Sequence, residues 1–307
     1  MASYLFRRLA LAIPTLWVVV TLVFFIFRVL VPGDPAELIA GELAPREVIE
    51  SIRRQMGLDQ PLPVQYVRYL SGLARGDLGV SKVFQQNAGE QLLARLPATL
   101  QLAGLAMLLA FVLGVAAGIV SAVRQSSWLD YLATLGAVGG VSIPSFWLGL
   151  MLIMLFSVGL GWLPTGGRTG PDSIILPAIT LSAYQLAIIA RMTRSSMLET
   201  LQQDYVRTAR AKGVRERGIV LAHALRNALI PTVTIAGLQM GYLLGGSVIV
   251  ETVFAWPGLG SLMIESIRIR DYTMVQAVAL LFAAMFLLIN ILVDALYAYL
   301  DPRVHYA

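Results

Sequence analysis

Residues able to perform covalent chemistry are few in this chain and far apart. His223 and His305 are the only histidines, Lys82 and Lys212 the only lysines, and cysteine is absent. Neither histidine has a partner at metal-ligand spacing, and neither H-E-x-x-H nor G-x-S-x-G occurs. No lysine lies in G-x-x-x-x-G-K-[ST], so the chain has no phosphate-cradling loop of that kind. Without cysteine there are no disulfides, thiolate zinc sites or thiol nucleophiles. His223 reads as a surface or packing residue of a helix, and a membrane enzyme lacks its catalytic groups here. What remains are polar side chains set in apolar runs: Gln101, Tyr184, Gln185, Gln239, Tyr242 and Asn290. Such residues inside a membrane are candidates for function, with inter-helix hydrogen bonding as the plainer alternative. Asp294, near the end of the last apolar run, reads as structural. No charge falls in the middle of a run, which argues against an ion-coupled carrier that works alone.

The elements that must position these residues follow from composition. Of 307 residues 57% are hydrophobic and 13% charged, about half the roughly 25% charge of a soluble domain. That leaves too little polar surface for a water-soluble fold, and an all-α integral membrane protein is expected. A spanning helix needs about 20 apolar residues, and six segments qualify: 9–31, 96–123, about 132–160, 173 to about 190, about 227–250 and 272–293. The first is longer than the roughly 7–15 apolar residues of a signal peptide and lacks a small-residue cleavage site. The organisation expected is an N-terminus with its first span (1–31), an external loop (32–95) and a five-helix membrane unit (96–307).

Basic residues in short loops give the orientation. With the N-terminus inside, Arg7, Arg8, Arg124, Arg303 and the eight Lys/Arg from Arg191 to Arg226 are cytoplasmic, against Arg28, Arg168, Arg268 and Arg270 outside. Both termini are then cytoplasmic. The net charge of +5 reflects these loops and does not imply nucleic acid. In the long first loop, "PGDPAE" signals a turn and "APREVIESIRRQMGL" a helix between Pro45 and Gly57.

Pro144 falls inside the third apolar run and should kink or break it. Gly237, Gly241 and Gly245 recur every fourth residue, which places them on one helix face and allows another helix close approach. The stretch "DYVRTARAKGVRERGIVLAHALRNALIP" interrupts the apolar runs with six Lys/Arg and two acids. Met197, Leu201 and Tyr205 lead a stripe out of the fourth span toward Gly213, which can cap a helix. Leu221, Leu225 and Leu229 form a row on a second helix, and Pro231 suits the start of the fifth span. The pattern is a two-helix cytoplasmic loop, within 191–230, lying on anionic lipid or docked into a soluble partner.

"YVRTARAKG" followed by "HALRNALIP" resembles the cytoplasmic loop of permease subunits of binding-protein-dependent ABC importers, in the peptide/nickel branch. "FRRLALAIPTLWVVVTLVFFIFRVLVPGDPAE", "MGLDQPLPVQY", "RGDLGVS", "GGSVIVETVFAWPGLGSLM", "RDYTMVQ" and "LVDALYAYLDPRV" are similar to that branch's other blocks, in order. "LIAGE", "GLDQPL" and "GWLPTGG" lean toward glutathione or small-peptide permeases. Where the general family has Glu-Ala-Ala ahead of its Gly, this chain has Arg207, Thr208 and Ala209 ahead of Gly213. The resemblance implies a multi-pass inner-membrane permease with a second, homologous permease subunit. It further implies two ATP-binding subunits that carry ATP and magnesium, and an external solute-binding protein. This chain would bind no cofactor itself. Arg207, Thr208, Ala209, Arg210, Lys212 and Gly213 would couple to the ATPase; Gln185, Gln239 and Tyr242 would line the pathway; and nickel or another small solute would be the alternative cargo.

Overall fold

The computed structural model describes residues 2–30, 34–40, 44–81 and 83–300. Lys82, Arg303, His305 and the Pro32–Gly33 part of the expected turn lie outside the described residues. The described chain is helical apart from one small hairpin. Helix α1 (Ala2–Phe25) runs on as a π-helical stretch, Ile26–Leu30. There follow α2 (Pro35–Ala40), α3 (Arg46–Gln55), α4 (Leu62–Ala74) and the antiparallel pair β1 (Val80–Ser81) and β2 (Gln86–Asn87). Then come α5 (Ala88–Val123), α6 (Trp128–Ser142), α7 (Ser145–Leu152, then π-helical Ile153–Gly159) and α8 (Ile175–Leu201). After α9 (Asp204–Ala211), α10 (Glu216–Gly218) continues through a π-helical stretch, Ile219–Ala224, into α11 (Leu225–Val253). Helices α12 (Leu259–Arg268) and α13 (Tyr272–Leu300) complete the chain.

Five helices are long and apolar enough to cross a membrane, and the bent pair α6 and α7 makes a sixth if it is one span. The expected third span is therefore not straight. Its two halves meet at 108°, with the break at Ile143–Pro144 because the proline ring forbids the helix to continue. Span four also runs further than expected, to Leu201, since Arg191 and Arg194 are good helix formers and Met197 is fully buried on its continuing face. The helical run Glu216–Val253 has 38 residues and reaches about 57 Å at 1.5 Å per residue. That exceeds the roughly 30 Å of a bilayer core, so the run projects beyond it.

Helices α5 and α8 form the centre. A Cβ on Gly118 would lie 2.6 Å from the Ala190 carbonyl, and one on Gly114 2.9 Å from Ile189. Four-residue spacing of small residues thus lets the two backbones meet. Helix α13 packs on α11 by setting Val293 and Phe286 against Gly237 and Gly241, and its Asp294 pairs with Arg8 of α1 at 3.1 Å. The α3 helix ends as its sequence implies: Gly57 takes φ +66°, and the Gly57 and Leu58 N–H groups close back on Arg54 and Arg53. Beside it α4 packs Tyr66 and Tyr69 on buried Phe24 of α1, and burial pushes the Tyr69 phenol up to about 12.

Candidate functional site

The short basic helix α9 is mounted on its own chain by one apolar face. Val206 and Ala209 are buried against Ile219, with Leu201 beside them. Asp204 stands in its first turn and Arg210 in its last, each complementing the helix dipole. Gly213 takes φ +81°. Its N–H bonds the Arg210 carbonyl at 3.0 Å and the Val214 N–H bonds that of Ala209 at 3.2 Å, a Schellman closure. Arg210 then donates to Glu216 at 2.8 Å, which raises its pKa above the ordinary guanidinium value and ties α9 to the helix that follows. Arg207, Thr208 and Lys212 remain on the outer face. Ala209 faces inward.

Two expectations about this segment are corrected. Helix α8 stops at Leu201, and α9 starts afresh after Gln202 and Gln203, so the Met197–Leu201–Tyr205 stripe is not one continuous helix. Tyr205 instead accepts a hydrogen bond from Asn227 Nδ2 at 2.8 Å. The second helix of the loop is not separate either: it runs unbroken into the membrane-spanning helix, and Pro231 lies inside α11. Apolar rows continue from Leu221 into the span, and a helix with one kink-tolerant proline satisfies both.

In mid-bundle, Gln239 Nε2 donates to Gln185 Oε1 at 2.8 Å, and both side chains are buried. Their polarity is thus used between α8 and α11. Tyr242 is separate from them and 67% exposed, on an α11 face with Leu238 and Ile249. The glycine stripe divides. A Cβ on Gly237 would lie 2.7 Å from Val293 and one on Gly241 2.7 Å from Phe286, while Gly245 faces open space. Close packing therefore holds for the first two, and Gly245 makes none among the described residues. Gln101 accepts from Arg168 at 2.9 Å, and Asn290 donates to the Phe286 carbonyl of its own helix.

Three buried polar clusters escaped the sequence reading. At the α9 end of the bundle, Arg194 of α8 forks onto Asp130 of α6, with two N–H···O bonds of 2.8 Å. Ser121 of α5 also donates to Asp130. At the opposite end Glu251, fully buried near the end of α11, faces the start of α12. It accepts from Thr99 Oγ1 at 2.7 Å, Gly260 N at 2.7 Å and Ser261 N at 3.1 Å. The Thr99 oxygen in turn accepts from Leu259 N at 2.8 Å. Glu251 and Thr99 thereby satisfy the first three free N–H groups of α12. Nearby, Ser81 of the hairpin donates to Asp271, whose other oxygen accepts from Met274 N at the start of α13. The blocks "RGDLGVS" and "RDYTMVQ" meet at this contact.

Comparison with known proteins accords with this architecture. The profile described as "Binding-protein-dependent transport system inner membrane component" matches residues 114–306, and its N-terminal companion matches residues 1–103. The chain is 50% identical over 306 residues to the glutathione transport system permease protein GsiC of Escherichia coli strain K12, covering the whole of both chains. It is 49% identical, with the same coverage, to GsiC of Shigella boydii serotype 4. Among solved structures, an inward-facing MetNI methionine ABC transporter aligns with a TM-score of 0.58 at 22% identity, over 69% of this chain and 96% of that one. An amino acid ABC transporter crystallised with histidines aligns with a TM-score of 0.56 at 16% identity, over 68% and 94%.

Proposed function

The chain belongs to the family of binding-protein-dependent transport system inner membrane components, and from that premise we propose that it forms half of an ATP-driven passage for glutathione or a small peptide. A second homologous permease supplies the other half. Two ATP-binding subunits dock on α9 from the cytoplasm, where both termini also lie, and an external binding protein delivers the solute.

The observation that carries this reading is the mounting of α9. Its outer face presents Arg207, Thr208 and Lys212 with no partner from another helix among the described residues, while its inner face is fixed by Val206 and Ala209. Two residues connect it to α8, and the Arg210–Glu216 pair connects it to the α10–α11 rod. A push on α9 therefore moves two spanning helices together. Tyr242 and the open face around Gly245 would meet solute or the second subunit, a role their exposure supports. The glutathione assignment rests on identity along the whole chain to proteins named for that solute.

The test is purification of the complex through a tag on this chain, followed by uptake into proteoliposomes. Co-purification of two P-loop subunits and a second permease, with ATP-dependent uptake of labelled glutathione suppressed by excess unlabelled glutathione, is the expected result. Uptake driven by an ion gradient with this chain alone would overturn the reading. Competition by nickel salts, with no response to glutathione or dipeptides, would overturn the solute class only.

A further inference from the structure

Between α5, α6 and α8, at the α9 end of the bundle, small side chains leave a cavity of about 330 Å³. Ala117, Ala133 and Ala137 form its apolar walls, and Arg191, Arg194 and Ser195 lie along its α8 side. The two guanidiniums differ. Arg194 is held by Asp130 through two 2.8 Å bonds. Arg191 is exposed, and among the described residues it has neither an ion pair nor a hydrogen bond. The slot is thus apolar along its length and carries a fixed cation with one unneutralised cation beside it. On the α6 side, Trp128 and Tyr131 are 66% and 63% exposed in the first turn of the helix. Exposed aromatics at a helix end mark the level of lipid headgroups.

An occupant must be apolar along one part and anionic at one end, and it must arrive at headgroup depth. We propose that this cavity is a binding site for one anionic phospholipid of the cytoplasmic leaflet, with an acyl chain among Ala117, Ala133 and Ala137 and the phosphate on Arg191. Basic pockets between spanning helices on the cytoplasmic side suit anionic headgroups for this electrostatic reason. The leaflet rests on the orientation proposed above; the chemistry of the slot does not. The site adjoins the α5–α6 turn, and Arg191 lies about three helical turns before the end of α8 at Leu201, two residues ahead of α9. A bound lipid would therefore brace the helix that leads into the coupling segment.

The test is native mass spectrometry of the purified complex, titrated with phosphatidylglycerol and, separately, with phosphatidylcholine. Wild type should retain one phosphatidylglycerol per copy of this chain that Arg191→Gln weakens about fivefold, the equivalent of one lost basic contact. Ala137→Trp, which fills the slot while keeping both arginines in the sequence, should abolish that retention. Phosphatidylcholine and inorganic phosphate should compete poorly. Equal retention in wild type and both variants overturns the site, as does a second permease chain covering the slot. Displacement by inorganic phosphate as effective as by lipid reassigns it to a free anion and also overturns the proposal. Orientation is read separately: Arg124→Cys, in a chain otherwise free of cysteine, should react with an impermeant maleimide only from the cytoplasmic side. Reaction from outside would refute the orientation while leaving the lipid counts to decide the site.

Discussion

Truncating Glu251 should be among the most damaging single changes in the molecule, and the structure says by how much. Glu251→Ala removes the acceptors of two buried donors, Thr99 Oγ1 and Gly260 N, and of the part-buried Ser261 N. An unpaired buried donor costs about 1–3 kcal/mol, and loss of a negative charge at a helix N-terminus about 0.3–2 kcal/mol. Water entering the vacated space offsets part of this, so about 3–5 kcal/mol is expected. Gly258 supplies the sharper test. It lies against the Glu251 carboxylate, and a Cβ there would overlap it. Its φ of −104° is open to any residue, so Gly258→Ala carries no backbone strain, only an overpacking cost of about 1–3 kcal/mol. In the Glu251→Ala background the new methyl faces the space the carboxylate left, and the cost of Gly258→Ala should nearly vanish. The assay is SDS-titrated unfolding of the purified chain, followed by tryptophan fluorescence, for wild type, both single variants and the double. A coupling energy of at least about 1 kcal/mol is expected for groups in direct contact. Additive effects, or a Glu251→Ala loss under about 1 kcal/mol, would refute the account of Glu251 as the cap of α12.

Other changes test other contacts. Gly237→Ala and Gly241→Ala should each destabilise the chain by about 1–3 kcal/mol by forcing α11 off Val293 and Phe286, whereas Gly245→Ala, facing open space, should leave the thermal midpoint of the isolated chain unchanged. Gly213→Ala should cost about 1–2 kcal/mol from the left-handed backbone alone, since nothing lies within 4 Å of its Cβ position; Gly213→Asn should recover much of that in the same unfolding titration. The Tyr69 hydroxyl is buried with no hydrogen-bond partner among the described residues, so Tyr69→Phe should be neutral or stabilising by up to about 1 kcal/mol. With the Tyr69 pKa raised to about 12, its contribution to stability should be full below pH 10 and fall as the pH rises toward 12 in wild type, and the Phe variant should lose that slope.

Much of the fold was legible because its signals are local. A charge-free apolar run announces a span by length alone, and Gly57 and Gly213 announce helix ends because their left-handed conformations are set by the next two residues. Pro144 was legible as a break for the same reason. Pro231 misled because a proline at a helix start and one tolerated inside a long helix look alike in sequence; only the packing around Ile219 and Ala224, both fully buried, decides for the continuous helix. Glu251 was passed over because an acid at the edge of an apolar run reads as the run's boundary. Its partner Thr99 is 152 residues away, and Asp130 is 64 residues from Arg194. No periodicity reports such pairings. Gln185 and Gln239 were visible as polar, yet that they bond each other depends on the register between α8 and α11.

The distribution of these bonds also bears on where an importer built from this chain can flex. At the α12 end, Glu251 and Asp271 bind helix starts and the hairpin through buried carboxylates. At the α9 end, Asp130 and Arg194 fasten α6 to α8. With Asp130 7% and Arg194 32% exposed, this part-buried fork is worth more than the roughly 0–1 kcal/mol of an exposed pair. Between the two ends, the polar ties from α8 to α11 among the described residues are the Gln185–Gln239 bond and a 3.4 Å contact between the Thr193 and Thr232 hydroxyls, and inter-helix hydrogen bonds inside membranes average only about 0.6 kcal/mol. The contact of α11 with α13 in the same region is glycine against Val293 and Phe286, which can slide without stranding a polar group. A motion among these helices therefore meets least resistance at mid-bundle. It would carry α8 and α6 as one body through the Asp130–Arg194 fork, and shift α11 past α13 at Gly237 and Gly241. The kinked junction at Pro144, which already lacks a backbone hydrogen bond, is where α7 can remain behind.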